Sequence, residues 1–227
     1  MQKAIIFCLL LCATCKGLTA QQNYRSGTLI QLNVNFSLPK NLKLNTKLES
    51  RQIFSEKETD KMRSGQVRNE RTDFHVILTK KLSADNSIGG GYLVRLQDGD
   101  FVHRLIQQFN HVRKLEVVSL AHRVVLDETF SKDEPVELRL RYRLSAEKAL
   151  NGRSVDPREF YLKLNNEYLG IFGSGSPDLE IRASAALGYD VSDTNKIEFG
   201  LEYRVNEFYT AAKAQQFWVT IAWYLSV

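Results

Sequence analysis

From Val136 to Leu144 the chain reads Val-Glu-Leu-Arg-Leu-Arg-Tyr-Arg-Leu, apolar at every even position and charged at every odd one. A period of two is that of an extended strand, whose successive side chains point to opposite faces. Val136, Leu138, Leu140, Tyr142 and Leu144 therefore share one face, and Glu137, Arg139, Arg141 and Arg143 the other. A helix would mix the two sets. One wholly apolar face and one face crowded with guanidinium groups suit a membrane barrel, with lipid outside and a wet lumen inside.

The same alternation recurs along the chain. Ile30, Leu32, Val34, Phe36 and Leu38 oppose Gln31, Asn33, Asn35 and Ser37; after the turn Pro39-Lys40-Asn41, Leu42, Leu44, Thr46 and Leu48 oppose Lys43, Asn45, Lys47, Glu49 and Arg51. Phe74, Val76 and Leu78 stand against Arg71, Asp73 and His75, and the pattern returns at Ile181 to Tyr189, Ile197 to Val205 and Phe217 to Leu225. Eleven runs are readable; Val102 to Arg113 has no clear phase, and Ser55 to Gln66 reads as a charged loop. Short turns alternate with longer connections, as periplasmic turns alternate with external loops. The fold implied is all-β, an antiparallel transmembrane β-barrel of about 10–12 strands with short periplasmic turns, and an even count is expected of a bacterial barrel.

Lys3, the apolar run Ala4 to Ala13 and the small residues before Gln21 read as a signal peptide over residues 1–20, too short to span a bilayer. Residues 21–227 are then a single outer-membrane β-barrel domain. Cys8, Cys12 and Cys15 all fall in the leader, so that domain has no disulfide and no thiolate metal site. Lys3 and Lys16 leave with the leader, and 29 basic residues remain against 26 acidic, too balanced for a nucleic-acid partner. No later apolar run is long enough for a membrane helix, so insertion falls to strands.

A soluble sandwich or lipocalin-like barrel also has apolar strand faces. With this many strands, however, an apolar interior encloses a void, whereas a polar one is hydrated. Phe36, Tyr92, Tyr142, Tyr168, Tyr189 and Trp223 lie where an interfacial aromatic girdle is expected. The segment His103-Arg-Leu-Ile-Gln-Gln-Phe-Asn-His-Val-Arg, with Leu120-Ala-His-Arg-Val-Val-Leu-Asp-Glu-Thr-Phe130 and Leu138-Arg-Leu-Arg-Tyr-Arg-Leu144, resembles the centre of a family of uncharacterised small outer-membrane β-barrel proteins, a domain of unknown function in Gram-negative bacteria. The resemblance implies a barrel in the cell outer membrane, with lipid and the barrel assembly machinery as partners, and no activity. Such barrels often end in Phe or Trp; this chain ends Trp223-Tyr-Leu-Ser-Val227.

Arg139, Arg141, Arg143, Glu137, Arg123, Arg71, Asp73, Lys47, Arg51, Glu198, Glu202 and Arg204 are the lumen-lining candidates on this phasing. With Lys43, Arg95, Lys163, Arg182, Glu49, Asp127, Glu167 and Asp190 they make a net basic lining. One reading is a narrow porin-like channel for small anionic solutes. The other is a plugged structural, scaffold or binding barrel acting through external loops, its arginines neutralised by Glu137, Glu167, Glu198 and Glu202 on other strands. A membrane-embedded lipid-modifying enzyme needs a nucleophile and base on one surface, and Ser119 and His122, three apart on a strand, face opposite ways. No enzyme and no cofactor is therefore expected. Gly89-Gly90-Gly91 lacks the Lys-Ser/Thr of a phosphate loop, and His75, His103, His111 and His122 lack metal-ligand spacing.

Overall fold

The structure, a computed structural model, describes residues 23–58, 61–173, 176–209 and 213–227. The signal peptide read at residues 1–20 lies outside them. Among the described residues the chain forms eleven strands: β1 Asn23–Leu38, β2 Leu42–Glu58, β3 Lys61–Lys81, β4 Asn86–Gln97, β5 Asp100–Lys114, β6 Ser119–Phe130, β7 Glu137–Ala149, β8 Phe160–Phe172, β9 Asp178–Ser192, β10 Asn195–Asn206 and β11 Ala214–Ser226. Each pairs antiparallel with the next, and β1 closes a barrel against β11.

Eleven is an odd number, so the expectation of an even count is corrected. After eleven alternating strands the first and last run the same way, and β1 meets β11 in a parallel ladder from Asn23↔Ala214 to Asn35↔Ser226. Val227 extends it, donating its N–H to the Asn35 carbonyl at 2.8 Å and accepting from the Ser37 N–H at 3.0 Å. Asn23 and Val227 consequently lie at opposite ends of the barrel. On the inner side of this seam Leu29, Ile53 and Trp218 form a buried apolar cluster. Gly27 sits at the bulge where β1 slips against β2; a Cβ there would stand 1.9 Å from the Gln52 carbonyl oxygen, so no side chain fits so close to a backbone.

The tight turns have sequence causes. Lys40 and Asn41 both take φ of 60°, and Asp98 and Gly99 take 53° and 90°. Both pairs have the signature of two-residue hairpin turns whose twist matches that of the flanking strands. We call the end carrying Pro39–Asn41 and Asp193–Thr194 the turn end, and the opposite end, where β6 passes to β7 through residues 131–136, the loop end.

Within Ser55 to Gln66, read above as a loop, the described residues 55–58 and 61–66 are strand. Here β2 and β3 continue as a paired ribbon, with Ser55 opposite Ser64 and Lys57 opposite Met62. Ion pairs flank it: Arg25 to Glu70 at 2.8 Å and Arg68 to Glu56 at 3.1 Å. The apolar period disappears because this ribbon no longer carries one apolar face.

The burial is inside out. Every strand turns at least one large, exposed apolar side chain outward: Ile30, Leu48, Phe74, Tyr92, Leu105, Val124, Leu140, Leu164, Leu187, Leu201 and Ile221, from β1 to β11 in order. Most of the buried side chains are polar or charged. Phe36, Tyr189 and Trp223 lie near the turn-end termini of their strands, with Phe160 packed on Tyr189 at 4.8 Å between ring centroids. Tyr92 and Tyr142 lie mid-strand instead, where their hydroxyls bond to Nδ1 of His103 at 2.7 Å and His122 at 2.8 Å. Tyr168 is also away from its strand's end, and is outward and exposed.

Candidate functional site: the barrel interior

Alternation dictates that the odd residues of β6, β7 and β8 point inward, and the register decides which of them meet. Asp127 lies opposite Arg139, Arg143 opposite Glu167, and on the far wall Asp73 opposite Arg95. Directly opposed pairs of unlike charge are the stabilising unit of a sheet face. In a low-dielectric interior they become charge-assisted hydrogen bonds.

Two networks result. In the first, Asp127, 1% exposed, accepts from Arg139 Nε at 2.6 Å and Arg141 Nη2 at 3.2 Å, with Arg104 Nε also at 3.2 Å. Arg141 leans on to Glu167 at 3.8 Å; Glu167 accepts from Arg143 Nε at 2.6 Å and Arg182 Nη1 at 2.8 Å. Arg182 then reaches Glu180 at 2.6 Å. In the second, Arg51 donates twice to Glu49 Oε1, at 3.0 and 2.8 Å, while Lys47 takes Glu49 Oε2 at 2.9 Å. Arg95 grips Asp73 with two parallel bonds of 2.8 and 2.9 Å, and Arg71 stands 3.9 Å from Asp73. Arg51 and Arg204 lie 5.5 and 5.8 Å from the Trp218 ring, which joins the second network to the seam by cation–π contact. Arg204 also pairs with Glu202.

These groups form a transverse layer in the loop-end half of the barrel. All eleven strands put a buried side chain into it, with Leu29, Leu93, Leu169 and Trp218 between the charges. Beneath it, in the turn-end half, lies a cavity of about 660 Å³, lined by amides and hydroxyls such as Asn33, Asn45, Gln108, Asn110, Ser145 and Asn165 and by charged groups of the layer above it such as Arg141, Arg143 and Glu167. Arg123 projects into it, donating to Asn110 Oδ1 at 2.7 Å. Glu198 sits at its rim, satisfied by Tyr161 Oη at 2.9 Å, Lys163 at 2.8 Å and Tyr224 Oη at 3.1 Å.

The candidate residues thus divide. Arg139, Arg141, Arg143, Arg71, Asp73, Lys47, Arg51, Glu202 and Arg204 belong to the two networks, Lys47, Arg141, Arg143 and Glu202 also bordering the cavity, and Arg123 and Glu198 belong to the cavity alone. Glu137 is at the loop-end margin, half exposed, 3.8 Å from Arg139. The set of neutralising carboxylates is corrected: Asp127 and Glu167 hold the arginine ladder, whereas Glu198 pairs with Lys163 and Glu202 with Arg204. Sequence reasoning missed Arg104, Glu180 and Trp218. Arg104 pairs in register with Thr129 and donates to its hydroxyl at 2.9 Å, a pairing with no local sequence signal because both faces of β5 are mixed. His75 lies on the interior wall, whereas His103, His111 and His122 lie on the outer face. His111 and His122 are register partners, 6.1 Å apart. Among the described residues no group of three His, Cys, Asp or Glu side chains could hold a metal ion.

An eleven-stranded closed barrel with a charged, half-filled interior is the class that fold and site define. The chain belongs to the family described as Protein of unknown function (DUF2490), whose model matches residues 26–216, nearly the whole barrel. No curated protein and no solved structure matches it.

Proposed function

We propose that the protein is a non-catalytic outer-membrane β-barrel, closed toward its loop end and open as a blind cup toward its turn end. The observation that carries this reading is the burial pattern. Each strand turns a large apolar side chain outward and contributes a buried side chain to a largely charged interior layer. An outer face of this kind suits lipid, since backbone pairing is complete around a closed barrel and no edge is left unsatisfied. Outer-membrane lipid and the barrel assembly machinery are the partners this reading requires. The arginine ladder favours the plugged reading over an anion channel, because its guanidinium groups are committed to Asp127 and Glu167 and offer little to a passing anion.

The protein should fractionate with outer membranes and show heat-modifiable gel mobility; recovery as a soluble periplasmic protein would remove the proposal. Purified into planar bilayers, the wild type should be nearly silent. The variant R139Q/R141Q/R143Q should be leaky or less stable, because Asp127 and Glu167 would be left buried without counter-charge. Anion-selective conductance in the wild type, lost in that variant, would restore the open channel.

A further inference from the structure

Every cation of the ion-pair layer has a carboxylate within 4 Å, and among the described residues some cations of the cavity beneath it do not. On the wall made by β1, β2 and β3, Asn33, Lys47 and His75 stand side by side, each the register partner of the next. Directly opposed residues on adjacent strands have Cβ atoms about 5 Å apart, so the three polar heads form one row facing the cavity. Asn33 is only 6% exposed, yet its Nδ2 has no hydrogen-bond partner, and His75 Nε2 is likewise buried and unpartnered. Lys47 commits one N–H to Glu49, leaving two of its three donors. Lys43, nearer the mouth on β2, and Arg123 on the facing wall have no carboxylate within ion-pair distance among the described residues.

The acceptors are mostly spent. Glu49, Glu167 and Glu198 are each held by two or more donors; Glu147 is the one cavity carboxylate outside any ion pair among the described residues. A polar cavity with surplus donors and cations selects a ligand rich in oxygen acceptors and negatively charged. The amides and hydroxyls that complete the lining suit hydroxyl groups, and about 660 Å³ is in the range of small-molecule sites.

We infer that the cup binds a small hydroxylated oxyanion, of the sugar-phosphate or sugar-acid class. It enters from the turn end and seats its anionic group on the Asn33–Lys47–His75 row. This deepens the blind-cup reading and rests on it for the direction of entry. The test is calorimetry on the full-length barrel folded in detergent, in phosphate-free buffer, with glucose 6-phosphate, gluconate, glucose and inorganic phosphate as probes. The two charged sugars should bind at least ~tenfold more tightly than glucose. Asn33→Asp, which keeps the shape but puts a carboxylate into the row, should weaken them by at least ~tenfold. Lys43→Gln, at the exposed mouth, should weaken them several-fold and keeps the test alive should Asn33→Asp fail to fold. No binding of either charged sugar at millimolar concentration, or binding that both folded variants leave unchanged, would overturn the inference. Inorganic phosphate binding as tightly as glucose 6-phosphate would overturn its hydroxyl half. Conductance measured on the same preparation separates the two readings: a barrel that conducts but binds loses only its closure, while a silent barrel that does not bind loses only the ligand.

Discussion

The two halves of the barrel interior solve the same problem in opposite ways. Both must carry polar side chains, because the apolar ones face outward. The loop-end half pairs full charges with one another and excludes solvent, with Asp127 and Glu167 each serving three guanidinium groups within 4 Å. The turn-end half sets neutral amides and hydroxyls, such as Ser145 bonded to Asn165 at 2.6 Å, beside cations such as Lys43 and Arg123 around open space. A buried ion pair is costly to break because the surviving charge is stranded, whereas a hydrogen bond beside water is replaced by one to solvent. Equal-looking polar substitutions should therefore have very different effects in the two halves.

The largest effect belongs to Asp127. In Asp127→Asn, Arg104, Arg139 and Arg141 lose their shared negative partner in a nearly fully buried position, and the loss should reach about 3–5 kcal/mol. Urea unfolding of the detergent-folded barrel, followed by the heat-modifiable gel shift, measures it. A loss of a few tenths would mean that the layer is hydrated and the contrast between the halves is false.

Trp218→Ala should come next. It opens a void beside Leu29 and Ile53 at the parallel seam and removes the ring between Arg51 and Arg204. Deleting a buried Trp costs about 3–5 kcal/mol in a dry core, and the lower end is expected here because the new space adjoins charged groups that admit water. The same unfolding measurement ranks it below Asp127→Asn. The reverse order would put the apolar seam, and not the ion pairs, at the centre of the barrel's stability.

The fold was legible where the two faces differ in chemistry. Ile197 to Val205 alternates cleanly because its outer set is apolar and its inner set is Glu198, Gly200, Glu202 and Arg204. β5 was opaque because Val102 and Ile106 point inward while His103, Gln107 and His111 point outward, so both faces are mixed. The β2–β3 ribbon looked like a loop because no single face of it is apolar. The parallel closure has no local signal, since it depends on the parity of the whole count. The division of the interior was illegible for a related reason. Alternation tells in from out but says nothing of height, and whether Arg143 meets Glu167 depends on the register of two strands joined by a long connection.

The smallest effect is the one that isolates the cup. In Ser145→Ala the hydroxyl that donates to Asn165 Oδ1 is lost, but Asn165 keeps its own donation to Ser184 Oγ at 2.9 Å and lines the cavity. A buried acceptor left unpaired costs about 1–3 kcal/mol, while one that water can reach recovers most of that. Ser145→Ala should therefore change unfolding stability by less than about 0.5 kcal/mol, far below Asp127→Asn although both remove an inward polar group from neighbouring strands. A loss above about 2 kcal/mol would mean that no water reaches Asn165. The cavity would then be dry on this wall, and polar contacts to a ligand would fall to the other walls, among them the one carrying the Asn33–Lys47–His75 row.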